Sequence, residues 1–165
     1  MATTGWALAA CAALGLTAAA GRADDATKAK DVKFDQHNGY FESNKSGLKD
    51  KPESFLAFTD WAGFSKVFGV GFVMGKRPNV VPRGAFKTRL VVAVIKRGDA
   101  IWTYKVEKVT ARGDALIVSY KAEPKGGGGS ARYASPLILS VDKGDYKTVT
   151  FVENGKKAGT AKVGK

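Results

Sequence analysis

Leu116, Val118 and Tyr120 alternate with Ile117, Ser119 and Lys121. This is the two-residue period of a strand with one face buried. Similar runs stand on either side. Trp102, Tyr104 and Val106 share a parity within Ile101–Val109, and Leu137, Leu139 and Val141 share a face of a later strand. Val149 and Phe151 mark the last strong strand before Asn154-Gly155. Arg97-Gly98-Asp99, Arg112-Gly113-Asp114 and Lys143-Gly144-Asp145 separate the runs. Glycine accepts a positive φ there, and aspartate bonds the nearby backbone. The LVVAVI run within Arg89–Lys96 does not alternate; apolar on both faces, it predicts a central strand.

The chain upstream of that strand is more varied. Phe55 to Phe58 reads as a short strand, and Thr59 or Asp60 can cap a helix by accepting from its first-turn amides. Trp61, Phe64 and Phe68 recur at +3 and +4, placing three aromatics on one helical face, and Gly69 and Gly71 end the helix. Residues 72–88, with Gly75, Pro78, Pro82 and Gly84, predict a loop. Phe72 and Phe86 are expected to pin it to the core. Pro124 to Ser130 predicts a Gly-rich loop, and Lys156–Lys165 a weak tail that pairs as an edge strand or frays. Residues 24–52 read as a loosely ordered polar arm with room for one hairpin at Asn38-Gly39. Together these elements predict a mainly β fold: an antiparallel sandwich or small barrel with one short helix near residues 60–68. Strand and helix do not alternate, which argues against a doubly wound nucleotide fold.

The N-terminus has a different character. Residues 6–20, WALAACAALGLTAAA, are uncharged and too Ala-rich and short to span a bilayer well. Small residues and then Asp24-Asp25 follow, as in a secretory leader, with Ala23 or Ala20 as the last residue removed. The expected organisation is therefore a signal peptide over 1–23, the arm over 24–52 and one β-rich domain over 53–165. The mature form is expected to be secreted or periplasmic with no transmembrane span. Leu8-Ala9-Ala10-Cys11 resembles a lipoprotein box, but cleavage there leaves almost no apolar region, so lipid anchoring at Cys11 is disfavoured.

Composition narrows the chemistry. The chain has 165 residues with 27 Lys plus Arg against 15 Asp plus Glu, a formal charge of +12. One His and one Cys argue against most His/Cys metal sites and against a disulfide scaffold. His37 sits two residues from Asp35 beside a turn, and no Gly-x-Ser-x-Gly supplies a nucleophile, so a solvent-exposed turn histidine is expected. Asp99, Asp114, Asp142 and Asp145 each lie beside Gly or Lys in turns rather than as a glycosidase pair. No catalytic, cofactor or metal-binding residue is assigned, and no enzyme activity is expected. From Trp61 to Gly98 there is no acid, while eight bases are present. Five of them, Lys76, Arg77, Arg83, Lys87 and Arg89, lie in or beside the Gly/Pro loop and are the candidate partner- or anion-binding residues. Reversing Arg77, Arg83, Lys87 and Arg89 to Glu is expected to leave folding intact.

The order of elements carries a family resemblance. A strand, a capped helix with Trp61 and a loop precede TRLVVAVIKRGDAIWTYKVEKVTARGDALIVSYKAEP, and YASPLILSVDKGDYKTVTFVENG follows. This resembles the C-terminal domain of the protease-complex accessory protein PrcB over about residues 54–155. The strongest points are Ser135 to Lys143 and Ala122-Glu123-Pro124. Family members often carry Gly-Gly-Tyr where this chain has Ile101-Trp102-Thr103-Tyr104, and only Tyr104 corresponds. The resemblance implies an exported, non-catalytic, protein-binding module, protease-associated as an accessory or inhibitor-like domain, and implies no cofactor. Strand addition at an open sheet edge is one expected mode. The alternative is a basic binder of an anionic envelope polymer or lipid surface. Nucleic acid is disfavoured by the export signal.

Overall fold

Strand formation follows the alternation read from the sequence, and the chain adds several short pairings to it. The computed structural model describes residues 28–71 and 78–164. Three short strands come first: β1 (Lys30–Asp31), β2 (Phe34–His37) and β3 (Tyr40–Glu42). β4 (Glu53–Phe58), helix α1 (Trp61–Val67) and β5 (Phe68–Val70) follow. A 3-10 helix, Arg83–Lys87, leads into the long strands β6 (Arg89–Gly98), β7 (Ala100–Arg112), β8 (Ala115–Gly127) and β9 (Tyr133–Asp142). β10 (Thr148–Glu153) and β11 (Lys156–Lys162) complete the chain.

Three sheets form, in the orders β1-β7-β8-β10-β11, β2-β9-β6-β4 and β3-β5. None closes into a barrel, so the sandwich is the architecture. All pairs are antiparallel except β8 with β10. That exception arises because β9 crosses to the four-stranded sheet, so β10 returns beside β8 in the same direction.

The two faces of β6 explain the layering. Leu90, Val92 and Val94 pack with Leu137, Leu139 and Val141 of β9 against Leu116, Val118 and Tyr120 of β8 and Phe151 of β10. This core lies between the two larger sheets. Val91, Ala93 and Ile95, with Ile138, face the other way onto Phe58, Phe64, Phe68, Val81 and Phe86. The unbroken LVVAVI run is thus apolar on both faces because both are covered. At the sandwich edge, Gly159 of β11 leaves room for the Phe55 ring of β4, which a Cβ would meet at 2.3 Å.

The third layer is aromatic. Asp60 accepts from the Gly63 amide at 2.8 Å, and this cap starts α1. Phe64 is fully buried, and the rings of Tyr40, Phe58, Phe68 and Phe86 surround it at centroid distances of 5.2, 5.5, 5.1 and 5.5 Å. Phe86 is the anchor the sequence suggests; Phe72 lies outside the described residues.

Several expectations need correction. Residues 28–52 do not form a loose arm: β1 pairs with β7, β2 with β9 and β3 with β5. Asn38-Gly39 therefore carries the chain from one sheet to another instead of closing a hairpin. β8 continues through Pro124 to Gly127, because a register shift near Trp102 accommodates the proline opposite β7. Gly69 lies within β5, not at a helix stop. The tail pairs as the edge strand β11, one of the two outcomes the sequence allowed. Asn154 and Gly155, at φ 49° and 80°, make the turn into that strand. The expected leader over 1–23, and Cys11 with it, lies outside the described residues. Among the described residues, no helix is long and apolar enough to cross a membrane.

Phe64→Ala is expected to cost about 3–5 kcal/mol, the usual loss for emptying a buried aromatic site. Urea denaturation measures it. A loss below about 1 kcal/mol would show that the aromatic layer does not hold the second face of β6.

Candidate functional site

The candidate bases of the loop do not converge. Lys76 and Arg77 lie outside the described residues. Arg83 and Lys87 are exposed on the 3-10 helix. Arg89, at the start of β6, is engaged by the protein itself. Its guanidinium donates to Asp142 Oδ1 at 2.7 Å, to Asp35, and to the Ser140 carbonyl at 3.0 Å. The expectation that Arg89 tolerates reversal is therefore corrected: a glutamate there would gather three carboxylates and leave β2 and β9 without their shared cation.

The same cluster relocates His37. It is buried in β2, not solvated in a turn. Its Nδ1 lies 3.3 Å from the Asn79 carbonyl, and its Nε2 lies 2.9 Å from Ser140 Oγ. A carbonyl only accepts, so Nδ1 carries the proton and Ser140 donates to Nε2. Arg89 also donates to Ser140 Oγ, at 3.2 Å. A serine–histidine pair invites a nucleophilic reading, but Ser140 is only 3% exposed and a substrate carbonyl has no approach to it. The pair joins β2 to β9. Burial pushes the His37 imidazole below its ordinary value; the Asn79 carbonyl and Asp35 oppose this, and Arg89 adds to it.

Lys96 is a second buried base. Its Nζ lies between the sheets, 2.5 Å from Glu153 and 3.0 Å from Glu53, and 4.1 Å from the centre of the Trp102 ring. Burial alone would lower its pKa, but the bonds from the two glutamates outweigh burial and raise it. An amine held protonated is neither a nucleophile nor a base.

An open cleft of about 460 Å³ lies between the 42–50 segment and the start of β9. Glu42, Lys49, Arg97, Arg132 and Tyr133 are among its lining residues. Arg97 and Glu42 are bound to each other at 2.6 and 2.8 Å, and their side chains are almost fully enclosed. Burial favours the neutral acid, yet Arg97 and Ser46 hold the Glu42 carboxyl below its usual range. The remaining charges, Lys49, Asp50 and Arg132, sum to +1, so the cleft has a weak preference for anions.

The outer face of the five-stranded sheet is different. Leu116, Val118, Val149, Phe151 and Ala161 point into the core, so alternation turns Ala115, Ile117, Ser119, Thr148, Thr150 and Val152 outward. Register then aligns rows across four strands. Arg112, Ala115, Thr148 and Lys162 form one row. Two residues along, Thr110, Ile117, Thr150 and Thr160 form the next, and Lys108, Ser119, Val152 and Lys157 the third. Four exposed cations thus stand at the corners of a floor of β-branched and small side chains, of which Thr110 and Ser119 are buried. Three strand spacings separate the two basic columns by about 14 Å, and the outer rows lie about 13 Å apart. No acid lies inside this frame. Glu107 beside it pairs with Lys121 at 3.5 Å, and Asp31 flanks Thr110 on β1.

The sequence analysis did not select these four bases. Their outward parity was readable strand by strand, but their alignment depends on the parallel β8–β10 register. No family model, no curated protein and no solved structure matches the chain.

Titration of His37 gives a prediction. In the unfolded chain a histidine takes up its proton near pH 6.5, whereas the folded site holds its proton more weakly. Stability is therefore full above about pH 6.5 and falls as the pH drops through that value toward the lower folded one. The melting temperature should fall more steeply between about pH 7.5 and about pH 5 in the native chain than in His37→Gln. Equal slopes would refute the assignment.

Proposed function

We propose that the chain is an exported, non-catalytic binding module whose outer sheet face engages an anionic partner. The observation that supports this most is the frame of Arg112, Lys162, Lys108 and Lys157, unpaired among the described residues and free of acids within it. Cations fixed on a rigid sheet concentrate counter-charge without any reorganisation on binding. The open edges favour this reading over strand addition. β11 presents Lys156, Lys157 and Lys162, and the stretch of β7 beyond the short β1 presents Lys105 and Lys108. Lysines on an edge discourage a further strand.

A binding assay with inorganic polyphosphate as probe tests the reading. Affinity should fall steeply as ionic strength rises, because exposed charges are screened. Reversing Lys108, Arg112, Lys157 and Lys162 to Glu should weaken binding at least about tenfold. Each residue is exposed, so the fold should survive; an unchanged circular dichroism spectrum checks this. Reversing Arg83 and Lys87 instead should change binding less than about twofold. The opposite ranking would move the site to the 3-10 helix.

A further inference from the structure

We infer that the natural occupant of this face is an acidic polysaccharide lying across the threonine-bearing floor; the inference rests on the anion-binding reading and specifies its ligand. Three features of the floor separate glycans from other polyanions. Its hydroxyls come first. Thr148 and Thr150 of β10 face outward between the basic columns, and Thr160 stands within the β11 column between Lys157 and Lys162. No buried side-chain oxygen lacks a partner, and no side-chain hydrogen bond among the described residues uses these three hydroxyls, so they meet solvent. Each can donate and accept, as the hydroxyls of a sugar ring require.

The second feature is the absence of aromatics. No ring stands on the three rows, so unpaired bases find no stacking platform, although such stacking carries much of single-strand nucleic-acid binding. The third is the absence of an apolar wedge. Ile117 and Val152 are half-buried in the floor, and the exposed large hydrophobics lie elsewhere: Phe41 on β3 and Ile101 at the far end of β7. A bilayer surface therefore gains nothing here beyond charge attraction. A sheet face with cations at its borders and hydroxyls among them fits an extended chain carrying both carboxylates or sulfates and free hydroxyls.

Four charged probes separate the outcomes: oligogalacturonate, inorganic polyphosphate of matched charge, oligodeoxythymidylate and phosphatidylglycerol vesicles. With the full chain at about 150 mM salt, oligogalacturonate should bind at least about tenfold tighter than each of the others. Thr150→Val with Thr160→Val should weaken oligogalacturonate at least about fivefold and leave polyphosphate within about twofold. Valine keeps the branched shape that strands accommodate, so an unchanged melting temperature is expected. Polyphosphate, nucleic acid or vesicles binding as tightly as oligogalacturonate, or a double variant with no selective effect, would overturn the glycan assignment and leave the anion-binding reading standing. If none of the four probes binds, the anion-binding reading fails and the inference fails with it.

Discussion

The rest of the molecule depends on the double-sided burial of β6. A strand with Leu90, Val92 and Val94 on one face and Val91, Ala93 and Ile95 on the other cannot leave either exposed. One face is covered by the five-stranded sheet. The other requires a separate layer, and the chain supplies it from residues 40–71 and 81–86, with Phe64 at its centre. Each side chain fully buried there contributes about 1.5–3 kcal/mol. That need explains why residues 40–48, polar as they mostly are, are drawn into the fold through Tyr40 and Leu48. Among the described residues the five-stranded sheet has one covering layer, and its other face carries exposed cations around a half-buried floor in which Thr110 and Ser119 are buried.

The same constraint sorts the basic residues into two populations. The acid-free stretch from Trp61 to Gly98 looks like a binding surface in sequence. Three of its eight bases are instead internal ties: Arg89 to Asp35 and Asp142, Lys96 to Glu53 and Glu153, and Arg97 to Glu42. Each partner comes from a distant segment, which is why the local stretch is so one-sided in charge. The cations at the corners of the open face come from β7 and from β11, whose KKAGTAK run carries three lysines and no acid.

This marks what was legible beforehand. Period-two alternation marked four of the strands around the core, β7 to β10, and assigned the correct face to Trp102, Tyr104 and Leu116. Capping by Asp60 and the aromatic spacing gave α1. The two-faced run gave the centre of the sheet. Pairing between distant segments was not legible. Nothing near His37 announces Ser140, and nothing in β8 announces a parallel neighbour. Pro124 and the glycines after it read as a loop because local propensity cannot register that β7 is long enough to hold them. The resemblance to the PrcB C-terminal domain rests on the order of elements, which a central two-faced strand and its covering layers also demand, and no family model matches the chain.

The central claim is that a one-sided sheet presents its open face to an anionic polymer. Amide chemical-shift mapping by NMR tests it most directly, because it reads location without altering a residue. On addition of oligogalacturonate, the shifts should concentrate on Ala115, Ser119, Thr148, Thr150 and Val152, and on the columns beside them. Shifts gathered instead around Arg83 and Lys87, or around the cleft at Arg132 and Tyr133, would contradict the account.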